Sequence, residues 1–345
     1  MTIKKHTIVA IPGDGIGPEV WEATRRVIDS SGAGIKWIEC MAGQSALEKT
    51  GELLPEETVD KIRQYGIGIK GPCTTPIGGG YKSINVRLRK EFNLYAAVRP
   101  VRSQPGVITR FEDVNLIVIR ENTEGLYSGV ENEVTDGVIM SMKVATEVAC
   151  MRIARFAFRF ATRYKRKKIS CLHKANIMKM TDGLFLECAR KVHEEEYPNI
   201  EYEELIIDAA AMRIVQDPSR FDVILCENLY GDVISDLCAG LVGGLGVTPG
   251  ANIGDVAAIF EAVHGSAPDI AGQNIANPLA LMMSGVQMLR YLAATRRLPK
   301  LEEKALTIAN AYRRCLSEGA TTADLGGALG TKEFADAVIE HIEIP

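Results

Sequence analysis

Two aspartates four residues apart carry the clearest chemical signal in the sequence. Asp232 and Asp236 follow an apolar segment, and a helix at this position would place both carboxylates on one face. Because neighbouring carboxylates repel each other, they commonly need a cation, and oxygen ligands favour Mg²⁺ or Mn²⁺ over Zn²⁺. The pair therefore indicates a divalent metal site. A helix-capping aspartate beside an exposed one would give the same pattern.

A second group of residues is suited to bind a small molecule with several negative charges. Ser83, Asn85 and Arg89 open a predicted helix, where hydroxyl, amide and helix dipole can together hold a carboxylate. Arg99 and Arg120 end apolar runs, and arginines at strand ends point into the crevice where open α/β sheets bind ligands. Three arginines directed at one place indicate a polyanionic substrate. The alternative is that the same three residues are separate, solvated arginines on the surface.

Two other residues are candidate proton carriers. Lys174 and Tyr127 each come shortly after a predicted strand. A lysine or a tyrosine close to a metal ion can donate or accept a proton during a reaction. Either residue alone is only a weak signal, so the assignment depends on the metal site.

A glycine-rich turn, Ile11–Glu19, joins the first predicted strand to the first predicted helix. Its glycines stand at alternate positions, G-x-G-x-G, whereas a dinucleotide-binding turn requires G-x-G-x-x-G. The acidic residues Asp14 and Glu19 also oppose a pyrophosphate at this place. The turn therefore disfavours a Rossmann fold.

Short apolar segments that alternate with helical patterns must position these residues. Strands are predicted at His6–Ile11, Gly34–Cys40, Gly66–Lys70, Asn115–Arg120, Lys168–His173, Glu201–Asp208 and Asp222–Cys226. Helices are predicted at Pro18–Ser30, Pro55–Gln64, Thr146–Arg163, Thr181–Glu196, Pro278–Thr295, Leu301–Glu318 and Lys332–His341. This alternation predicts a buried parallel sheet flanked by helices. Tyr127–Lys143 interrupts it as an antiparallel hairpin that turns at Asp136-Gly137.

Composition limits the class of protein. The 345 residues carry 40 basic and 44 acidic side chains, a net charge of −4, and 46% are hydrophobic, as in an ordinary globular protein. No basic tract favours nucleic acid, and no apolar run approaches the roughly 18 residues of a membrane span. The eight cysteines form no C-x-x-C pair, and Met1–Lys5 is polar, which is typical of a cytoplasmic or matrix-type enzyme. Of the two compartments we expect the cytoplasm, and we expect neither nucleic-acid nor membrane partners.

The motifs occur together and in one order along the chain. They are Gly13-Asp-Gly-Ile-Gly17, Ser83-x-Asn85-x-x-x-Arg89, Arg99, Arg120-Glu-Asn122, Tyr127, Lys174-x-Asn176, Gly231-Asp232-x-x-x-Asp236 and His264-Gly-Ser-Ala-Pro-Asp-Ile-Ala-Gly272. This set closely resembles the β-decarboxylating dehydrogenases, which include isocitrate, 3-isopropylmalate, homoisocitrate and tartrate dehydrogenases. Within that family the chain is most similar to the NAD-dependent isocitrate dehydrogenases.

The resemblance implies an α/β fold that is not a Rossmann fold. A large, cofactor-side domain would be built from residues 1–98 and 243–345, and a small α/β domain from residues 99–242. The inserted hairpin, about residues 127–143, would act as a clasp between two subunits. We therefore expect a homodimer with shared active sites, alone or within a higher oligomer.

The resemblance also implies roles for individual residues. Tyr127 and Lys174 match the catalytic proton carriers, and Asp208, Asp232 and Asp236 match the ligands of Mg²⁺ or Mn²⁺, with Asp208 contributed to the other chain's site. The positions that match isocitrate-binding residues are Thr75, Ser83, Asn85, Arg89, Arg99, Arg120 and Asn176. Those that match NAD-binding residues are Thr74, His264, Gly265, Ser266, Ala267, Pro268, Asp269, Ile270 and Asn277.

These matches imply the metal-dependent oxidative decarboxylation of isocitrate to 2-oxoglutarate and CO₂, a step of the tricarboxylic acid cycle. Lys174 would relay the proton of the substrate hydroxyl, and Tyr127 would protonate the carbon that CO₂ leaves. Asp269 would accept hydrogen bonds from the adenosine ribose of NAD and repel the 2′-phosphate of NADP.

Two other functions fit parts of the sequence. The chain could be a 3-isopropylmalate or homoisocitrate dehydrogenase, but isopropylmalate requires an apolar patch where Ser83 and Asn85 are polar. It could also be a non-catalytic regulatory subunit, which we would expect to lack the proton carriers or the arginines. This sequence retains them.

Overall fold

Strands and helices alternate along the chain in a computed structural model that describes residues 6–75 and 83–343; Met1–Lys5 lies outside them. The strands are β1 (His6–Ile11), β2 (Ile35–Glu39), β3 (Ile67–Lys70), β4 (Ala96–Arg102), β5 (Asn115–Glu121), β6 (Gly125–Thr135), β7 (Val138–Val144), β8 (Lys168–His173), β9 (Glu201–Ile206), β10 (Val223–Cys226), β11 (Pro249–Ile253) and β12 (Ala258–Ala262). The helices are α1 (Gly17–Ser30), α2 (Gln44–Thr50), α3 (Glu56–Tyr65), α4 (Ile84–Glu91), α5 (Glu147–Arg163), α6 (Thr181–Glu196), α7 (Ile207–Gln216), α8 (Asn228–Leu241), α9 (Leu279–Thr295), α10 (Pro299–Ser317) and α11 (Thr331–Glu343).

Ten strands form one mixed sheet in the order β2-β1-β3-β12-β11-β4-β5-β10-β8-β9. Two parallel groups, β2-β1-β3-β12 and β5-β10-β8-β9, flank β11 and β4, which run antiparallel to both of their neighbours. The α/β fold is confirmed, but the prediction of a parallel sheet is wrong at its centre. The sequence does not indicate β11 or β12, because β11 begins with Pro249-Gly250 and β12 includes a glutamate, Glu261.

The helices cover the sheet with apolar faces. In α5, Thr146 accepts a hydrogen bond from the Ala149 N–H at 3.2 Å, which caps the start of the helix, and side chains such as Ile153 and Phe158 are fully buried. α9 is buried over most of its surface, because it packs against the sheet, α1 and α10. Among the described residues, no helix combines the length and the apolar character needed to cross a membrane.

The predicted hairpin is confirmed as a two-stranded antiparallel sheet, β6 and β7, separate from the main sheet. Its turn lies at Asp136-Gly137, where Gly137 has a φ of +77°. The hairpin exposes several apolar side chains: Val130, Val134, Val138, Ile139, Met140 and Met142. An isolated two-stranded hairpin is only marginally stable in water, so this surface is suited to contact another element.

The two-domain division stays a prediction. Its first boundary, between residues 98 and 99, falls inside β4, which pairs with β11 on one side and with β5 on the other. Its second boundary, between residues 242 and 243, directly follows α8. The single sheet thus continues across the proposed boundary.

Candidate active site

A row of buried charged side chains crosses the centre of the sheet. Glu261 on β12 is in register with Lys70 of β3 and with Gly250 of β11. Its carboxylate lies 3.0 Å from Lys70 Nζ and 3.5 Å from Arg99 Nη2, and it accepts a hydrogen bond of 2.7 Å from Asn252 Nδ2. Gly250 gives Arg99 its space, because a Cβ there would lie 2.1 Å from Arg99 Nη1.

This row holds an ionised glutamate in the interior. Burial by itself raises the pKa of Glu261, but the positive charges of Lys70, Arg99 and Arg89 outweigh it and lower that pKa to about 2. Local sequence patterns do not identify Lys70 or Glu261, since the pairing joins strands about 190 residues apart in the chain.

We expect Glu261→Gln to lower the free energy of unfolding at pH 7 by roughly 3–5 kcal/mol, because Lys70 and Arg99 would stay buried without a counter-charge. The pKa of Glu261 lies below its ordinary 4.5, so its stabilising effect is complete above about pH 4.5 and is lost as the pH falls toward 2. Urea unfolding of both proteins between pH 7 and pH 3 measures this difference, which should shrink at low pH.

The matched control is Glu22→Gln, which removes an exposed pair with Arg25 and should cost less than about 1 kcal/mol. Equal stabilities of wild type and Glu261→Gln at pH 7 would show that the buried ion pairs do not stabilise the fold.

Arg120, near the end of β5, is the centre of a second cluster. It is 1% exposed, and its Nε and Nη2 donate hydrogen bonds to Asn228 Oδ1 at 3.1 and 2.6 Å. Its Nη1 forms an ion pair with Asp232, and the Tyr127 hydroxyl donates a hydrogen bond to the other oxygen of that carboxylate. Gly231 lets α8 approach, because a Cβ there would lie 2.5 Å from Arg120 Cγ. Asn228, which orients Arg120, is absent from the sequence prediction.

Asp232 and Asp236 lie one turn apart on α8, as their spacing predicts. Burial and the negative charge of Asp232 raise the pKa of Asp236, although Arg99 and Arg120 oppose this effect. Such crowding of carboxylates suits a cation. Within residues 6–75 and 83–343, however, no three His, Cys, Asp or Glu side chains are arranged to hold a metal ion. A cation at Asp232 and Asp236 would therefore need a third ligand from outside the described residues.

Lys174 and Asp208 contact each other rather than Asp232. Their side chains form an ion pair, which lowers the pKa of Asp208. Lys174 follows β8, and its backbone N–H donates a hydrogen bond of 2.7 Å to Asp182. The prediction that Asp208 ends a strand is wrong: β9 ends at Ile206, and Asp208 lies in the first turn of α7. Both side chains reach solvent, with 29% of Lys174 and 67% of Asp208 exposed.

The predicted carboxylate-binding segment lies around the start of α4. Ser83 immediately precedes the helix, is exposed, and does not cap it with its side chain. Thr75 Oγ1 accepts a hydrogen bond of 3.5 Å from the Ile84 N–H. Asn85 Oδ1 is buried without a hydrogen-bond partner in the described part of the chain. Asn176, which lies in the turn after Lys174, is exposed.

The three predicted arginines are buried close enough to interact electrostatically. Burial and the positive charges of Arg120 and Arg99 lower the pKa of Arg89 to about 10, in spite of Glu261. Arg89 Nε and two nitrogens of Arg99 have no hydrogen-bond partner among the described residues. Because Arg89 lies in the last turn of α4, it does not open that helix as expected. Buried N–H groups of this kind are suited to bind carboxylates.

The glycine-rich turn contacts Thr74 through Asp14, and Thr74 in turn contacts Ser266. The Asp14 carboxylate accepts hydrogen bonds from the backbone N–H groups of Thr74, Gln44 and Ser45 at 2.7, 2.9 and 2.8 Å. Thr74 Oγ1 lies 2.7 Å from Ser266 Oγ. By accepting these hydrogen bonds, Asp14 links its own turn to the backbone at Gln44-Ser45 and at Thr74.

The glycines of this turn permit close backbone packing. A Cβ on Gly13 would lie 2.0 Å from the carbonyl oxygen of Pro72, and one on Gly15 would lie 1.9 Å from that of Ser266. Glu19 accepts a hydrogen bond of 3.2 Å from the Asn274 N–H. These contacts explain the glycines and Glu19 in structural terms, and the absence of a pyrophosphate site at this turn stays a prediction.

The predicted NAD-binding segment forms an irregular turn after β12. Ala267 has a φ of +36°, and Pro268–Ile270 forms one 3₁₀ turn on which Asp269 is exposed. His264 Nδ1 lies 3.0 Å from the carbonyl oxygen of Gly265. Its Nε2 is buried without a hydrogen-bond partner in the described residues, and burial lowers the pKa of His264.

Asn277, one of the predicted NAD-binding residues, already makes two hydrogen bonds. Its Nδ2 donates to Asp324 at 2.9 Å, and its Oδ1 accepts from the Leu279 N–H at 2.9 Å, close to the start of α9. Asn277 therefore joins α9 to the loop before α11.

Known proteins with similar sequences act on related substrates. The chain is 52% identical to "Isocitrate dehydrogenase [NAD] catalytic subunit 5, mitochondrial" of Arabidopsis thaliana, over 97% of this chain and 88% of that protein. It is 51% identical to "3-isopropylmalate dehydrogenase, chloroplastic" of Solanum tuberosum, over 89% of this chain and 84% of that protein. Sequence identity alone does not separate the two activities.

The prediction of a cytoplasmic location is contradicted by these relatives. The Arabidopsis protein and several others are named as mitochondrial, and the Solanum protein as chloroplastic. The prediction rests on the cysteine pattern and on the polar segment Met1–Lys5, and the eight cysteines are free thiols. Free thiols are compatible with any reducing compartment, so they do not distinguish the cytosol from an organelle.

The family is defined by a match along nearly the whole sequence. A family model described as "Isocitrate/isopropylmalate dehydrogenase" matches residues 7–338. The fold superimposes on the crystal structure of isocitrate dehydrogenase from Methylococcus capsulatus with a TM-score of 0.92 at 48% identity, over 98% of this chain and 99% of that one. The chain belongs to the isocitrate/isopropylmalate dehydrogenase family.

Proposed function

We propose that this enzyme is an NAD-dependent isocitrate dehydrogenase that oxidises and decarboxylates isocitrate to 2-oxoglutarate and CO₂. The observation that carries the proposal is the group of buried guanidinium groups, Arg89, Arg99 and Arg120, beside the carboxylates of Asp232 and Asp236. A substrate with three carboxylates and a hydroxyl group suits this combination of anion and metal ligands. The NAD-dependent relatives support it.

The residues present fit a metal ion and a dinucleotide. Asp232 and Asp236 are crowded carboxylates that a cation would stabilise, and Asp208 of a second chain would supply a further oxygen ligand. The exposed Asp269 is available to a nucleotide, and a nucleotide would give His264 Nε2 the hydrogen-bond partner that it lacks among the described residues. When bound, NAD accepts the two electrons of the oxidation, and Mg²⁺ or Mn²⁺ acts as a Lewis acid on the substrate oxygens.

Four groups of side chains then bind the substrate and move its protons. The arginines bind the substrate carboxylates, and Ser83 and Asn85 hydrogen-bond the carboxylate that distinguishes isocitrate from its relatives. Lys174 takes the proton of the substrate hydroxyl. Tyr127 gives its proton to the carbon from which CO₂ leaves; burial and the hydrogen bond to Asp232 raise the pKa of Tyr127, so the hydroxyl is protonated at neutral pH.

The proposed active unit is a homodimer in which each site takes residues from both chains. The hairpin β6–β7 exposes apolar side chains that a second copy would cover. Exposed apolar residues also lie near Lys174 and Asp208: Ile177, Met180 and Met212. Large exposed apolar surfaces of this kind are typical of subunit contacts. The Lys174–Asp208 pair would therefore enter the partner's site as one unit.

The test of substrate choice compares kcat/KM for isocitrate, homoisocitrate and 3-isopropylmalate under the same conditions. We expect isocitrate to be preferred over 3-isopropylmalate by at least about 10²-fold, because Ser83 and Asn85 would lose their hydrogen-bond partner with an apolar substrate. Asn85→Leu should reduce that preference, whereas Asn199→Leu, on an exposed residue just before β9, should not. Faster turnover of 3-isopropylmalate by the wild type would assign the chain to the other activity.

The second test concerns the cofactor. We expect NAD to be preferred over NADP by at least about 10²-fold in kcat/KM, roughly 3 kcal/mol, because Asp269 would face the 2′-phosphate with a like charge. Asp269→Lys combined with Ile270→Tyr should shift the preference toward NADP. Asp60→Lys, on an exposed aspartate of α3, is the control and should leave the preference unchanged. Equal use of both cofactors by the wild type would refute the role of Asp269.

A further inference from the structure

A cavity lies at the opposite end of β4 and β5 from Arg120 and the proposed active site. It has a volume of about 250 Å³ and is bounded by these strands and by α5, α9 and α10. Arg102 and Asn115, which line it, are paired in register at the end of β4 and the start of β5. Arg120 is the fifth residue after Asn115 along β5, which corresponds to a distance of about 16 Å at roughly 3.3 Å per residue. The cavity is therefore distinct from the Arg120 cluster.

The charged side chains that line the cavity in the described structure are all basic: Arg102, Arg166, Arg290 and Arg313. Two of them have acidic partners nearby, since Arg166 pairs with Asp222 at 2.8 Å and Arg290 lies 3.3 Å from Glu302. Arg102 and Arg313 form no ion pair within the described residues. The cavity thus carries an excess of positive charge.

The arginines also affect one another. Partial burial and the positive charges of Arg313, Arg166 and Arg290 lower the pKa of Arg102. Like charges held together in this way repel each other, and an anion in the cavity would relieve the repulsion. A guanidinium group can donate two parallel hydrogen bonds to a phosphate or a carboxylate.

Two residues that line the cavity, Gln104 and Gln287, each have an amide oxygen without a hydrogen-bond partner among the described residues. Gln104 is 5% exposed; its Nε2 donates to the Arg102 carbonyl oxygen at 3.2 Å, but its Oε1 is buried and accepts no hydrogen bond from the described residues. Gln287 Oε1 on α9 is likewise buried and accepts no hydrogen bond from the described residues. A buried carbonyl oxygen that accepts no hydrogen bond destabilises the fold. Hydroxyl or amino groups of a ligand could donate hydrogen bonds to these two oxygens and remove that cost.

The remaining wall is largely apolar and aromatic. Phe160, Tyr164, Met283 and Tyr312 line it together with Pro100. Such a wall suits the ring of a sugar or a nucleoside, because one face of the ring can pack on side chains while its hydroxyl groups reach polar atoms.

We propose that this cavity is a binding site for a phosphate monoester that carries hydroxyl groups, such as a sugar phosphate or a nucleoside monophosphate. The phosphate would contact Arg102 and Arg313, and the hydroxyl groups would donate to Gln104 and Gln287. A volume of about 250 Å³ limits the ligand to this size. Inorganic phosphate could satisfy the arginines but not both amide oxygens.

Isothermal titration calorimetry tests the site with three probes: glucose 6-phosphate, uridine 5′-monophosphate and inorganic phosphate. Isocitrate and NADH are kept at saturation, so that the proposed active site is filled; this pair does not turn over, because the nicotinamide is already reduced. We expect one of the two esters to bind with a Kd below about 1 mM and at least tenfold more tightly than inorganic phosphate. The tighter ester identifies the source of the phosphate.

Variants then locate the binding. Arg102→Gln with Arg313→Gln should weaken ester binding at least tenfold, and Gln287→Glu should do the same by placing a negative charge in the cavity. Arg314→Gln, which changes an exposed arginine of α10 that pairs with Glu318, is the matched control and should bind normally. Thermal unfolding verifies that each variant folds. Absence of ester binding at 5 mM, or equal affinity in wild type and both cavity variants, would overturn the proposal.

Discussion

Lys174→Met is expected to lower kcat for isocitrate oxidation by about 10²–10⁴-fold, the usual contribution of a positioned acid or base. A methionine has a similar length but no ionisable group, so it cannot take the proton of the substrate hydroxyl. Stopped-flow and steady-state measurements of NADH formation check this prediction. Lys300→Met, on an exposed lysine in the first turn of α10, is the control and should retain normal turnover.

Tyr127→Phe separates this proton transfer from the later one. The substitution removes the hydroxyl group that would protonate the carbon after CO₂ leaves. Net oxidative decarboxylation should therefore fall more than the reduction of an added β-keto acid. In Lys174→Met both reactions should fall, because the same hydroxyl proton is transferred in either direction. Near-normal turnover of Lys174→Met would remove its assigned role.

Mixing two inactive variants should restore activity only when their mutations lie in different halves of the shared site. Lys174 pairs with Asp208, while Asp232 pairs with Arg120 and Tyr127. If Lys174 and Asp208 enter the partner's site together, a heterodimer of Lys174→Met and Asp232→Asn contains one intact site. Random exchange of subunits would then return about a quarter of the wild-type activity.

The matched mixture is Lys174→Met with Asp208→Asn, which leaves every site of the heterodimer with one defect and should stay inactive. Differently tagged subunits verify that exchange has occurred. Activity in this second mixture and none in the first would place Lys174 in the site of its own chain and Asp208 in the partner's site. That result would exclude the entry of the pair into the partner's site as one unit.

Much of the fold can be predicted from local patterns. The strands β1, β2, β3, β5, β8 and β10 and the long helices follow from apolar runs and helical periodicity, because each buries a face that its own sequence defines. The central strands of the sheet cannot be predicted from such local patterns. β11 and β12 carry glycine, proline and a buried glutamate, and their strand conformation depends on pairing with distant segments.

In the candidate site, too, local sequence patterns predict some features and not others. The i, i+4 spacing of Asp232 and Asp236 is local and is observed as predicted. The partners of Arg99 and Arg120 are not local: Glu261 lies about 160 residues after Arg99, and Asn228 lies 108 residues after Arg120. Asp208 could be matched to a family position, but its place in α7 and its contact with Lys174 require the folded chain.

Metal-dependent oxidative decarboxylation of isocitrate can be measured in a single reaction with the purified chain alone. Isocitrate, NAD and Mn²⁺ are supplied, and NADH, 2-oxoglutarate and CO₂ are quantified with and without a chelator of divalent cations. We expect equal amounts of the three products and loss of all three when the metal is removed, with recovery after Mn²⁺ or Mg²⁺ is added back. The proposed function would be wrong if the chain folded and dimerised but formed no NADH from isocitrate, or if NADH formed without CO₂.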